Sequence, residues 1–306
     1  FVWFTFVSLS LGAAFLLAAL HLKVDLFYLG MILFNAILVV VFHRVKAISF
    51  LQLFSKEFIP FIQVNLILST LFMLFLFDNE EVYSFNLLLT AVIYLSMIYV
   101  TGKKEYHFIF TVMLVYGVYQ LVENSVLEYA GGIVYALVAF GIVFVPRTLD
   151  KRFSLDKAFQ YTSAIISGLA FIYVSLEGFL LRSGQPSFVL MIAYLIMAVN
   201  FIYLTNNRSR FLFPYLSSLF LSTGIYEGIS LMMIPFEEIN LALRVFLTGF
   251  ILLSVSGILQ LIKYVRMIRH AAVEVGLFIM AISMMMAVVL LYWWELGAML
   301  ILLAVA

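Results

Sequence analysis

Apolar runs of roughly 17–24 residues, each long enough to cross the ~30 Å hydrocarbon core of a bilayer as a helix, recur along this chain between short polar breaks. They fall at about 1–21, 26–42, 58–77, 84–101, 107–122, 130–146, 158–177, 186–204, 211–235, 239–262 and 272–293, and a twelfth begins near Leu296. The runs are continuously apolar rather than alternating, which excludes a transmembrane β-barrel. The pattern predicts an all-α, polytopic bundle of 11–12 spans with short loops, residues 1–306 forming a single transmembrane domain. The first run opens directly at Phe1, and the last ends at Ala306, covering about half the length a crossing needs. The chain therefore reads as a fragment of a longer one, its last span truncated.

Two polar stretches carry local signals. Across the polar stretch 47–57 and into the next run, Ile48, Leu51, Phe54 and Phe58 fall at helical spacing opposite Gln52, Ser55 and Lys56. This fits either a short amphipathic helix on the membrane surface or an extension of the third span. Ser154 is placed to N-cap the seventh helix.

Composition removes the soluble alternative. Hydrophobic residues make up 66% of the chain and charged ones 11%, against roughly 45–50% and about 25% in ordinary soluble domains. A water-facing fold of this size cannot hide such an excess, and lipid can accept it. Only five prolines interrupt the runs, as suits helices whose backbone groups must pair internally. The absence of cysteine excludes disulfides, thiolate chemistry and cysteine metal sites.

Charge gives the bundle a direction. The even-numbered breaks, with Arg44, Lys46, Lys56, Lys103, Lys104, Arg147, Lys151, Arg152, Lys157, Arg208, Arg210, Lys263, Arg266 and Arg269, hold 14 of the 17 basic residues. Lys23, Arg182 and Arg244 lie on the other side. Basic residues accumulate on the cytoplasmic side of short loops, so the even breaks and the N-terminus are read as cytoplasmic, in a plasma membrane. Eleven of the 16 acids fall on the outer side, leaving about +9 inside and −8 outside. Such an outer face attracts cations, although acids also fill loops that basic residues avoid.

Candidate chemistry centres on Glu227, in the segment Ser222-Thr223-Gly224-Ile225-Tyr226-Glu227-Gly228 of the ninth run. A carboxylate roughly 12 Å below the interface is expensive and marks a functional site by default. Gly224 and Gly228 form a GxxxG face for close helix approach. Three roles compete for Glu227: a proton- or cation-coupling group, the partner of Arg244, at similar depth in the next run, in a structural ion pair, or a carboxylate beside trapped water. Tyr226 adjoins it. Tyr119/Glu123 and Tyr173/Glu177, each spaced i,i+4 at outer helix ends, join it as candidate ligand or ion contacts, or else belong to the aromatic belt of the membrane interface.

Other chemistry is excluded. Phe236-Glu237-Glu238-Ile239-Asn240 is superficially similar to the paired-glutamate motif of intramembrane metalloproteases. The basic residue expected four positions later is Ala242, however, and the one downstream histidine, His270, lies in a basic break. His21, His43, His107 and His270 share no metal-ligand spacing. No cofactor, metal or catalytic group is expected. No phosphate loop or basic patch is present, so nucleic acid is excluded as a partner. Asn35, Gln63, Asn65, Gln120, Asn200 and Gln260 lie in or near spans, where interhelical hydrogen bonding is the default role.

Membrane lipids are the expected partners, with other subunits or fused domains beyond Phe1 or Ala306. The first reading of function is a transporter or permease domain for a small solute or ion, coupled through Glu227. The second is a sensory, anchoring or assembly domain that transports nothing, and the third a transferase acting on lipid-linked substrates. Gly131-Gly132 and Gly224–Gly228 are the only sequence hints of a broken helix.

Overall fold

The computed structural model describes residues 2–45, 48, 52–103, 105–148, 156–180, 185–207, 211–232, 240–259 and 266–305. Among them the fold is entirely helical. The helices are α1 (Val2–Ala19), α2 (Val24–Val45), α3 (Gln52–Phe75), α4 (Glu80–Thr101), α5 (Glu105–Glu123), α6 (Gly131–Gly141), α7 (Asp156–Leu180), α8 (Phe188–Asn207), α9 (Leu212–Met232), α10 (Leu241–Leu259), α11 (Arg269–Val289) and α12 (Trp293–Val305). Helix α6 is flanked by 3₁₀ turns at Val126–Ala130 and Ile142–Thr148.

Nine helical segments among the described residues are long and apolar enough to cross a membrane, Val126–Pro146 counting as one. Helices α5 and α9 have the length, at 19 and 21 residues, but dilute their apolar residues with His107, Gln120, serines and Glu227. Helix α12 has 13 residues. The apolar surface matches a lipid environment: Phe4, Phe15, Phe75 and Phe108 are each more than 70% exposed, and α1 buries only Phe6. Water does not tolerate an apolar surface of that extent on a monomer.

From Gln52 onward the polar stretch after α2 is the first part of α3; residues 46–47 and 49–51 lie outside the described set. Ser154 does too, as do residues 233–239 with Glu237 and Glu238.

The chain divides into two compact units, residues 1–131 with 147–155, and residues 132–146 with 156–306. In the first, Phe6 stacks on Phe61 at 4.8 Å and meets Phe58 edge-on at 4.8 Å, joining α1 to α3. Helix α4 starts on Asn79, whose side chain accepts the Val82 N–H at 3.1 Å. It ends on Gly102, whose φ of 71° suits glycine and lets its N–H reach the Ile98 carbonyl at 2.8 Å. Helix α5 then returns against α4, with Gly117 set against Leu87 and Leu88.

In the second unit, Phe171, Tyr194, Phe201, Phe213 and Phe220 form an aromatic core between α7, α8 and α9. A separate cluster of Ala242, Phe246, Met280, Ala287 and Met299 holds α10, α11 and α12 together. Helices α10 and α11 cross at Gly249 and Gly276. A Cβ built on Gly249 would stand 2.7 Å from the Gly276 carbonyl oxygen, so the two backbones touch there.

Candidate functional site

The glycines around Glu227 set its position. Gly224 and Gly228 turn toward α8, where a Cβ on Gly224 would lie 3.0 Å from Leu195 and one on Gly228 3.3 Å from the Met191 sulfur. That approach brings Glu227 Oε2 within 3.1 Å of the Ser187 backbone N–H. Ser187 is the residue that starts α8, its carbonyl accepting the Met191 N–H at 3.0 Å. The carboxylate therefore sits at the positive end of the α8 dipole, where a negative charge is stabilised. It also acts electrostatically on Tyr194, whose hydroxyl shares a 2.9 Å hydrogen bond with Ser175 of α7.

Arg244 lies in the first turn of α10, with its Nε buried and without a hydrogen-bond partner among the described residues. The Ser187 N–H at the start of α8 is one partner of Glu227. Tyr226 is half-buried on α9. Tyr173 packs edge-on against Tyr135 at 5.6 Å, and Glu177 is half-buried one turn further along α7. Tyr119 and Glu123 belong to the first unit, and Tyr119 and Tyr173 are 39% and 40% exposed. No group of three or more His, Asp or Glu side chains gathers among the described residues.

Two further polar groupings carry no sequence motif. In the second unit, Asn200 of α8 is fully buried and donates through Nδ2 to Ser163 at 2.9 Å and Ser167 at 2.8 Å, both on α7. Ser163 in turn donates to the Ala139 carbonyl at 2.6 Å. Ala139 lies where α6 gives way to 3₁₀ geometry at Ile142, a change of pitch that takes carbonyls away from their regular α-helical donors. The knot of Ser163 and Asn200 thus clamps the sixth segment at its irregular end.

In the first unit a polar seam follows one face of α4. Asp25, 2% exposed, accepts the N–H groups of Asp78 and Asn79 through Oδ2 at 3.1 and 2.8 Å, just ahead of α4. Its backbone carbonyl takes the Asn86 amide at 3.0 Å. Thr90 follows one turn on, and Tyr94 another turn on, beside Thr70 of α3. Tyr94 faces Tyr106 with ring centroids 6.2 Å apart, and Gln63 donates to the Tyr106 hydroxyl. These last residues open into a cavity of about 330 Å³ with Lys103 and Glu105 at its mouth. Beside the seam, Asn65 donates to Asn35 at 2.8 Å, joining α3 to α2.

No family model, curated protein or solved structure matches the chain. The bonding capacity of these groups is therefore the basis for reading their function.

Sequence reasoning passed over Asn86 and Thr90. Their signal is the spacing Tyr83, Asn86, Thr90, Tyr94, which repeats polar groups on one face of an otherwise apolar helix.

Proposed function

We propose that this chain is the membrane domain of a transporter or permease that moves a small solute or ion. It crosses a plasma membrane 11–12 times with its N-terminus in the cytoplasm. The observation that carries this reading is the sixth segment. Residues 126–148 run as 3₁₀, α and 3₁₀ helix rather than as one continuous rod, and a fully buried Asn200–Ser163 pair holds the Ala139 carbonyl at the second junction. Interrupted spans with side chains gathered on freed carbonyls build the solute and ion sites of many membrane transporters, whereas a passive anchor has no need of them. An interruption of this kind supports a transport role more than the two glycine pairs of the sequence do alone.

Glu227 is the coupling carboxylate in this reading. Its bond to the start of α8 depends on its charge, so proton or cation binding there loosens the tie between α9 and α8. That tie is also the observation that favours the second reading, a non-transporting assembly or anchoring domain in which Glu227 only fixes α8. Lipids, other subunits and fused domains beyond Phe1 or Ala306 are its partners in either case.

Purified protein in liposomes separates the two. Vesicles exposed to a panel of urea, glycine, ammonium chloride and sodium acetate are expected to swell faster than protein-free vesicles for at least one class of solute. That rate is expected to fall at least tenfold in Glu227→Gln. Swelling at the protein-free rate across the panel excludes the permease reading, and a rate untouched by Glu227→Gln removes Glu227 from coupling.

A further inference from the structure

The first unit contains buried hydrogen-bonding capacity that its own residues leave unused. Asn86 is 1% exposed and Thr90 fully buried, yet Asn86 Oδ1 and Thr90 Oγ1 have no hydrogen-bond partner among the described residues. A threonine inside a helix ordinarily returns its hydroxyl to the carbonyl four residues back, as Thr70, Thr101 and Thr111 do here. Thr90 does not. Unpaired buried polar atoms are costly, and two of them one turn apart on the same helix face are a place for water to bridge.

Their spacing along α4 supports that role. Asn86, Thr90 and Tyr94 succeed one another at intervals of four residues, about 6 Å of helix rise. Two hydrogen bonds in series through one water span about the same length. At one end Asn86 bonds the backbone carbonyl of Asp25, whose carboxylate belongs to the same residue, and at the other Glu105 lines the cavity beside Tyr106. The groups between them are hydroxyls and amides, which can hold water in file without placing a fixed charge in the bilayer core.

We propose that the seam from Asp25 through Asn86, Thr90, Tyr94 and Tyr106 to Glu105 is a proton pathway through the first unit, completed by bridging water. The proposal rests on the reading that α4 crosses the bilayer and is independent of Glu227 and of any solute. Each hop makes one O–H bond and breaks another as a proton passes from one oxygen to the next. Nothing is oxidised or reduced, and the net movement is one proton from the Asp25 end to the Glu105 end or back, as the membrane potential directs. Asn86 holds water in place through its carbonyl oxygen, and the hydroxyls relay.

The test is proton conductance in liposomes carrying an internal pH-sensitive dye, driven by a potassium diffusion potential with valinomycin and with no solute gradient. Wild-type protein is expected to conduct above protein-free vesicles, and Thr90→Val to reduce that conductance at least fivefold. Ser254→Ala, whose hydroxyl donates to the Phe250 carbonyl within α10, is expected to match wild type. Tyr94→Phe, which removes a single oxygen, serves as a second variant should Thr90→Val not elute as a folded species. Wild-type conductance at the protein-free level, or a smaller effect of whichever of these variants folds, overturns the proposal. Solute swelling is read separately, so loss of conductance with swelling intact distinguishes this pathway from the permease reading.

Discussion

Gly249→Val is expected to cost about 3 kcal/mol or more, the upper part of the range for overpacking a tight contact, and to separate α10 from α11. A Cβ at this position would come within 2.6 Å of Met280 Cγ, 2.7 Å of the Gly276 oxygen and 3.1 Å of the Met280 nitrogen. Two of those three atoms are backbone, so no rotamer change relieves the overlap and one helix must move. The displacement would propagate into the cluster of Phe246, Met280 and Met299, which also holds α12. Gly168→Ala and Gly257→Ala are the controls, because a Cβ at either meets nothing within 4 Å. They should be neutral or slightly stabilising, as alanine is the better helix former. Unfolding of the detergent-solubilised protein in a graded series of SDS measures all three.

The second large effect is at Asp25. Its carboxylate accepts from Asp78 and Asn79 while standing in the first turn of α2, so one buried charge serves the N-terminal ends of two helices. Asp25→Ala takes the acceptor from the N–H groups of Asp78 and Asn79, which stand on exposed residues that water can reach, and removes a favourable charge–dipole interaction, a loss of about 2 kcal/mol. Asp25→Asn retains one acceptor oxygen and should lose about 1 kcal/mol. Hydrogen exchange gives the local readout. Amides 78–82 should lose protection in Asp25→Ala, while those in the middle of α4 change little.

Asp25, Glu227 and Glu295 each accept from a group at or just ahead of a helix start. Asp25 holds the start of α4, Glu227 the start of α8, and Glu295 accepts from the amide of Asn240, ahead of α10. The positive end of a helix dipole favours a carboxylate at each of these places.

The helices themselves were legible because lipid imposes one rule over long stretches. The runs read at 26–42 and 84–101 lie inside α2 and α4, the run at 186–204 begins two residues ahead of α8, and the close face at Gly224 and Gly228 does pack on α8. The crossing at Gly249 and Gly276 was not legible, since the two glycines lie on different helices, neither in a GxxxG spacing, and only packing pairs them. The Asp25–Asn86 bond joins residues 61 apart. Asn86 and Thr90 look in sequence like any polar group tolerated in a span, because whether Asn86 Oδ1 and Thr90 Oγ1 find partners depends on what the neighbouring helices offer. The bond from the Ser187 N–H to Glu227 was not legible either, because a backbone N–H at a helix start has no side-chain signature.

The alternating membrane topology on which these readings depend can be measured directly, because the chain has no cysteine. Single cysteines at Tyr129 and Trp294, which are 81% and 92% exposed, should react with a membrane-impermeant maleimide in intact cells. Those at exposed Lys103 and at Phe211, 79% exposed, should react only after permeabilisation. Labelling of Lys103→Cys and Tyr129→Cys from the same side would contradict the crossing of α5 and the inside N-terminus with it.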